Sequence, residues 1–423
     1  MSALPVDTAR VQARTLRALV AGQVLGGLGI GATLSIGAIL AAHVSGSDEF
    51  AGAAATLSTL GAAAAAIPLA RLTGRLGRRV SLTTGTLTAT LGAIVVIVAT
   101  GLGAFPLLLL GFALLGVGSA VNLQSRFAAT DLASPSTRGR QLSIVVWSTT
   151  IGSVVGPNLS GPGEQIALTL GLPELTGSFV IAIVAQLLAA AIFLVALRPD
   201  PYLLSREIAQ YAADAAAASA SAAETTAAGS IRSRRLVILA IGSIAATHAV
   251  MVAVMAMTPL HLTHHGSSIA AVGFTISLHI AGMYALSPVF GWLSDRVGRF
   301  PTVLAGQGLL AVGLAIVSFG ESDAALVTAG LTFIGLGWSA TTVSGSALVS
   351  DLARGDARPK IQGRSDLSMN IAGAIGGAGA GPLLALVGYA GLAGIAGILV
   401  VAVVIAVLLV PRSAQVRLSD RAN

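Results

Sequence analysis

The chain contains no cysteine, which removes disulfides, thiolate metal sites and cysteine nucleophiles together. Charge is scarce as well. Asp, Glu, Lys and Arg make up 10% of the 423 residues, against 55% hydrophobic residues and a mean hydropathy of +0.87. So little polar surface cannot solvate a globule of this size in water. The pattern also lacks the short alternating runs of a membrane barrel. There is no HExxH and no Ser/His/Asp set at one depth, which argues against an enzyme, and no GxxxxGK(S/T), which argues against ATP coupling by this chain. No ring of repeated pore residues suggests a channel.

What the chain has instead is length in its apolar runs. About 20 apolar residues cross a bilayer core as a helix, and twelve such segments are predicted, at roughly 18–43, 51–70, 80–101, 104–125, 141–160, 178–197, 236–262, 271–291, 302–319, 325–347, 367–386 and 391–410. The fold class is therefore an all-α integral membrane protein with twelve transmembrane helices. With the N-terminus cytoplasmic, all 24 Lys and Arg residues fall inside, and the external loops hold only acids: Asp48, Glu49, Glu164, Glu174, Glu321 and Asp323. An error of one in the helix count would move several basic groups outside. The expected location is the plasma membrane, multi-pass, with both termini cytoplasmic. The first run is too long for a signal-peptide core. The net charge of +7 follows from orientation against an anionic leaflet, so nucleic acid is not an expected partner.

A basic turn is written twice between these segments. Gly74-Arg75-Leu76-Gly77-Arg78-Arg79 follows one apolar run and Gly291-Trp292-Leu293-Ser294-Asp295-Arg296-Val297-Gly298-Arg299 follows another. Two further pairs come in the same order. Gly116 to Ala120 leading to Asp131 matches Gly335 to Ala340 leading to Asp351, and Gly139-Arg140 with Gly152 and Gly156-Pro157 matches Gly363-Arg364 with Gly377 and Gly381-Pro382. Three ordered matches indicate a duplication. The expected domains are a six-helix bundle over 1–197, a cytoplasmic linker over 198–235 and a second six-helix bundle over 236–423. Within the linker, Leu204 to Ala218 reads either as a helix on the membrane surface or as a flexible tether. Two such repeats are the usual architecture of a secondary transporter, because halves can rock about a site held between them.

Over essentially its whole length the chain resembles the major facilitator superfamily. Asp295, Arg296, Gly298 and Arg299 stand at the positions of that family's loop motif between the second and third helices of a half. Physically, Gly298 permits a tight turn and Asp295 can face the positive N-terminal end of a neighbouring helix. The first copy departs, with Gly74 in place of the aspartate and Ala70 in place of the leading glycine Gly291. Asp366, near the start of the eleventh segment, is a candidate substitute acid that would meet Arg75 or Arg78, or else a simple helix N-terminal acid. Asp131 and Asp351 are expected to pair with the arginines of the basic turns. Gly152 to Pro157 resembles the glycine-proline signature of the family's antiporter branch, the drug:proton antiporters among them. That resemblance implies export by exchange. The arginine that many proton-coupled exporters carry in mid-helix 4 is missing, with Gly111 and apolar residues there.

Ionisable groups at membrane depth point to function. No carboxylate falls clearly at the midplane, but His248 and His279 do. His248, Met251 and Met255 share one helical face, and His279 and Met283 another. The histidines read either as a proton or substrate site or as neutral packing residues. The Met/His set also admits transport of a metal or metal complex, although no bound metal or cofactor is expected. The first half offers Gln23, Asn122, Gln124, Arg126, Trp147 and Asn158, with Trp338 and Asn370 as counterparts in the second. Arg126 reads as an anion partner or as one more headgroup arginine. The combined expectation is a monomeric transporter exporting small amphipathic compounds against protons. Its alternative is proton-linked uptake of an organic anion or metal complex.

Overall fold

A computed structural model of the protein describes residues 7–47, 50, 52–155, 160–219, 227–353 and 355–411, and among these there is no strand. Their helices in chain order are α1 (Thr8–Ser45), α2 (Ala53–Leu102), α3 (Phe105–Ala128), α4 (Arg138–Val155), α5 (Ser160–Leu170), α6 (Gly177–Ala196), α7 (Pro201–Ser219), α8 (Ala227–His264), α9 (Ile269–Tyr284), α10 (Ser287–Arg296), α11 (Arg299–Phe319), α12 (Ala324–Leu352) and α13 (Arg358–Leu408). Eight helical spans among the described residues are long and apolar enough to cross a membrane. Two of these hold two predicted segments each. α2 breaks at Gly77 (φ 88°, ψ 176°) and α13 at Gly388 (φ 71°, ψ −178°). Adding α1 and the pair α4 and α5, the helices account for all twelve predicted crossings.

Large apolar side chains cover the outside. On the second arm of α2, Leu87, Leu91, Ile94 and Val98 recur at helical spacing and are all exposed. Such stripes suit lipid as the solvent, while the backbone polar groups are satisfied within each helix. The fold is an all-α membrane fold.

Three elements differ from the sequence-based limits. The first basic turn is not a loop: α2 stays helical through Leu76 and the reversal is concentrated in Gly77, whose positive φ a glycine adopts without steric cost. The segment predicted at 271–291 is two helices, because Pro288 lacks an N–H and its ring disfavours a continuous turn, so α9 stops and α10 restarts with that proline in its first turn. The stretch predicted at 141–160 holds most of α4 and the first residue of α5, and Gly156, Pro157 and Asn158 lie outside the described residues. The 198–235 segment contains α7 and the start of α8.

Two compact units emerge. One gathers Met1–Ser134, Ile151–Val237 and Leu352–Asp366, the other Pro135–Thr150, Ile238–Asp351 and Leu367–Asn423. Each half of the sequence thus contributes one short segment to the unit built mainly from the other. In the first unit, Leu40, Val96, Leu108, Phe112 and Phe179 form a buried core across α1, α2, α3 and α6. In the second, Ala253, Ala380 and Leu392 join α8 to both arms of α13.

Candidate functional site

In the second unit, Asp295 closes the end of α10 and faces the first turn of α4. Its Oδ1 accepts the Gly139 N–H at 2.8 Å and its Oδ2 the Arg140 N–H at 2.7 Å. These N–H groups have no partner within their own helix, and a carboxylate there also meets the positive end of the helix dipole. Close approach is possible because Gly291 carries no side chain: a β-carbon on it would lie 2.6 Å from the Gly139 carbonyl oxygen. Gly298, at φ 113°, turns the chain so that Arg299 points back. Arg299 Nη1 contacts Asp295, its Nε donates to Asp351 Oδ2 at 3.0 Å and its Nη2 to the Pro135 carbonyl at 2.9 Å. The other oxygen of Asp351 accepts Arg138 Nη1 at 2.8 Å. Arg296 points away and sits 5.4 Å over the Trp292 ring.

The first unit repeats this plan with different residues. Arg78 is buried and donates through Nε to Asp131 Oδ2 at 2.8 Å and through Nη2 to Gln362 Oε1 at 2.6 Å. Arg358 Nη2 reaches the Thr130 carbonyl at 2.9 Å and lies 3.6 Å from Asp131 Oδ1. Each aspartate therefore holds the arginine of its own basic turn and the arginine that opens the exchanged helix. Arg138 and Arg358 were not singled out from the sequence, although Asp131-to-Arg138 and Asp351-to-Arg358 have the same spacing. That spacing also corrects the repeat register. α4 and α13 each start after a short 3-10 turn, at Arg138 and Arg358. Gly139 therefore corresponds to Pro359, and the match to Gly363 is one helical turn out.

Asp366 does not meet Arg75, which is exposed. Its Oδ1 accepts from Arg126 Nη2 at 2.7 Å, with the two side chains 0% and 2% exposed. The buried guanidinium also lies 5.0 Å over the Phe127 ring. Arg126 is thus inside the protein and already matched by a carboxylate. Gln124 donates to the Ala66 carbonyl at 3.3 Å and serves packing between α2 and α3. Gln23 is buried on α1, and Trp147 is partly exposed on α4. Asn122 lines a small cavity with Gly22, Gly26, Thr86, Gln186 and Phe193. Gln186, missed from the sequence, accepts from Thr90 at 3.4 Å. Gly152 packs directly on Gly27: a β-carbon on Gly152 would sit 2.6 Å from the Gly27 Cα.

The two membrane-depth histidines are anchored by different residues. Trp338 Nε1 donates to His248 Nδ1 at 2.9 Å, while His279 Nδ1 lies 2.6 Å from the Leu331 carbonyl. Both anchors are on α12, seven residues and about 10 Å apart. Because a carbonyl only accepts, His279 carries a proton on Nδ1, and its buried Nε2 has no hydrogen-bond partner among the described residues. The bond to Leu331 packs the His279 ring of α9 against α12. His248 belongs to an aromatic group, with Tyr284 edge-on to Trp338 at 5.7 Å. Met251, Met283 and Asn370 are buried and Met255 is half-buried. Among the described residues no group of three or more His, Asp or Glu is placed to hold a metal ion.

A membrane-spanning all-helical chain in which each basic turn is locked to a nearby helix has the build of a secondary transporter. The Major Facilitator Superfamily model matches it twice, over residues 19–268 and 239–422, and the chain belongs to that family. It is 38% identical over 375 residues to the uncharacterized MFS-type transporter YdeG of Bacillus subtilis, covering 88% of this chain and 86% of that one. It is 26% identical over 365 residues to the riboflavin transporter RfnT of Brucella anthropi, covering 84% and 85%. Among solved structures, the proton:xylose symporter XylE bound to 6-bromo-6-deoxy-D-glucose has the same fold, with a TM-score of 0.74 over 96% of this chain and 97% of that one at 14% identity.

Proposed function

We propose that the protein is a plasma-membrane exporter that exchanges small amphipathic organic compounds for protons. It acts as a monomer with both termini cytoplasmic, its halves 1–197 and 236–423 joined by the 198–235 linker. The observation that carries proton coupling is the Arg126–Asp366 pair. A carboxylate with 0% exposure at the joint between α3 and α13 faces the guanidinium of Arg126. A proton on Asp366 would cancel that attraction and free the exchanged segment of α13. Arg78, which donates to Gln362 Oε1, is a further positive charge near it. Export is supported by the Gly27–Gly152 contact, the described part of the antiporter-like signature. A small organic substrate is supported by the name of the riboflavin transporter among the relatives and by the mainly apolar lining around Asn122. Uptake of an organic anion on Arg126 is the weaker reading, because Asp366 already occupies that guanidinium.

The test is accumulation of lipophilic cations, antibiotics and organic acids in inside-out vesicles, with and without an acid-inside gradient. Gradient-driven accumulation is expected from the natural chain. Asp366→Asn is expected to abolish it while keeping substrate-for-substrate exchange. Gradient-driven accumulation by Asp366→Asn would overturn the assignment of Asp366, and its absence in the natural chain would overturn proton-coupled export.

A further inference from the structure

We propose that the segment connecting the two halves is a strap fastened to the first basic turn, with Asp200 as its holding residue. Asp200 supplies in the first half the acid that Gly74 lacks.

Asp200 serves two helix starts at once. Its Oδ2 accepts the Arg79 N–H at 2.7 Å, the second residue after the break of α2, while its Oδ1 accepts the N–H groups of Tyr202 and Leu203 at 3.0 and 3.2 Å in the first turn of α7. Both are helix ends whose N–H groups would otherwise need water, and both dipoles present their positive end to the carboxylate. The turn is shaped for it. A β-carbon on Gly77 would lie 2.7 Å from Asp200 Oδ1, so Gly77 is needed for the acid's approach as well as for its φ of 88°. At Gly298, by contrast, a β-carbon would meet only Pro301, at 3.6 Å.

From this anchor the first turn of α7 is largely buried. Tyr202 is 2% and Leu204 5% exposed, whereas Arg206, Glu207 and Tyr211 are exposed. Further along, Arg206 Nε lies 2.7 Å from Asp356 Oδ1. Asp356 precedes Arg358, Gln362 and Asp366, the residues that the second half of the sequence lends to the first unit. The strap therefore touches both the first basic turn and the exchanged segment, and it keeps the Arg78–Asp131–Arg358 cluster closed whichever compound is transported.

The natural absence of cysteine makes the test direct. Leu204→Cys in the full-length chain in membranes reports undocking through its rate of maleimide labelling. Slow labelling is expected with Asp200 present. Asp200→Ala, which removes an acceptor from two helix starts, is expected to accelerate it about tenfold. Asp295→Ala, the same loss at the other basic turn, is expected to leave the Leu204→Cys rate unchanged. Equal labelling of Leu204→Cys with and without Asp200→Ala in normally eluting protein would overturn the proposal. So would equal acceleration by Asp295→Ala, which would mean general loosening. If Asp200→Ala does not fold, Asp200→Asn, which keeps the acceptor oxygen but loses the charge, is read in the same way.

Discussion

Pro359 stands against Gly74, its Cγ 4.0 Å from the point that a β-carbon on that glycine would occupy. In the other repeat the same two places are held by Gly139 and Asp295, whose N–H and carboxylate are hydrogen bonded. The acid and its donor have been lost together: a proline offers no N–H, so an aspartate at 74 would lack one of its two partners. The glycine has also changed sides. Gly291 packs on Ser143 in one repeat, and Ala70 packs on Gly363 in the other. Gly74→Asp is accordingly expected to be more favourable in a Pro359→Gly background than alone, with a coupling of about 1 kcal/mol. A double-mutant cycle in thermal unfolding of the solubilised protein measures it, and additivity would refute the pairing.

The Arg126–Asp366 pair should show the asymmetry of buried charges. Arg126→Ala leaves an uncompensated carboxylate and is expected to cost about 3–5 kcal/mol. Arg126→Gln with Asp366→Asn, which removes both charges, is expected to cost much less. Unfolding midpoints of the three proteins give the comparison directly.

The histidines should separate into two kinds. His279→Leu removes the donor to the Leu331 carbonyl and is expected to cost about 1–3 kcal/mol of stability, with transport per folded molecule unchanged. His248→Leu removes the acceptor of the Trp338 N–H beside Tyr284 and is expected to alter substrate affinity. Vesicle transport normalised to folded protein, set beside thermal unfolding, distinguishes them. Loss of proton coupling in His279→Leu would overturn the packing role.

Asp295→Ala frees the Gly139 and Arg140 N–H groups and takes one partner from Arg299. The expected loss is about 1–2 kcal/mol, as for an N-cap. Asp295→Asn, which keeps an acceptor but no charge, should fall between. Thermal unfolding of the two variants checks the order.

Much of the architecture was legible because lipid imposes a coarse rule: long apolar runs read as spans whatever their packing. The basic turns were legible for the same reason, since arginines at span ends and glycine at a reversal are local requirements. Asp366 was readable as an acid, but α13 starts eight residues before it at Arg358, so it is not a helix-start acid, and its partner was not readable. Arg126 precedes it by 240 positions, and nothing local distinguishes a buried arginine near a helix end from one at the headgroups. The slip of one turn in matching Gly139 to Gly363 has a similar cause. A shift of four residues leaves a helical face almost unchanged, and only the helix starts at Arg138 and Arg358 fix the register. Asp200 was hidden inside a Pro-Asp-Pro stretch that reads as an ordinary linker.

The exchange of segments 135–150 and 352–366 bears on how the protein is made. Arg78 and Asp131 can meet as soon as both have left the ribosome. Arg126 has to wait for Asp366, 240 residues later, a delay of about 12–50 s at ordinary rates of synthesis. During that interval a guanidinium destined for the interior has no carboxylate, and the wet face of the membrane is the place where it can be tolerated. The newborn first half is therefore an unfinished object, with its α3 end held open near water until the start of α13 arrives to close it.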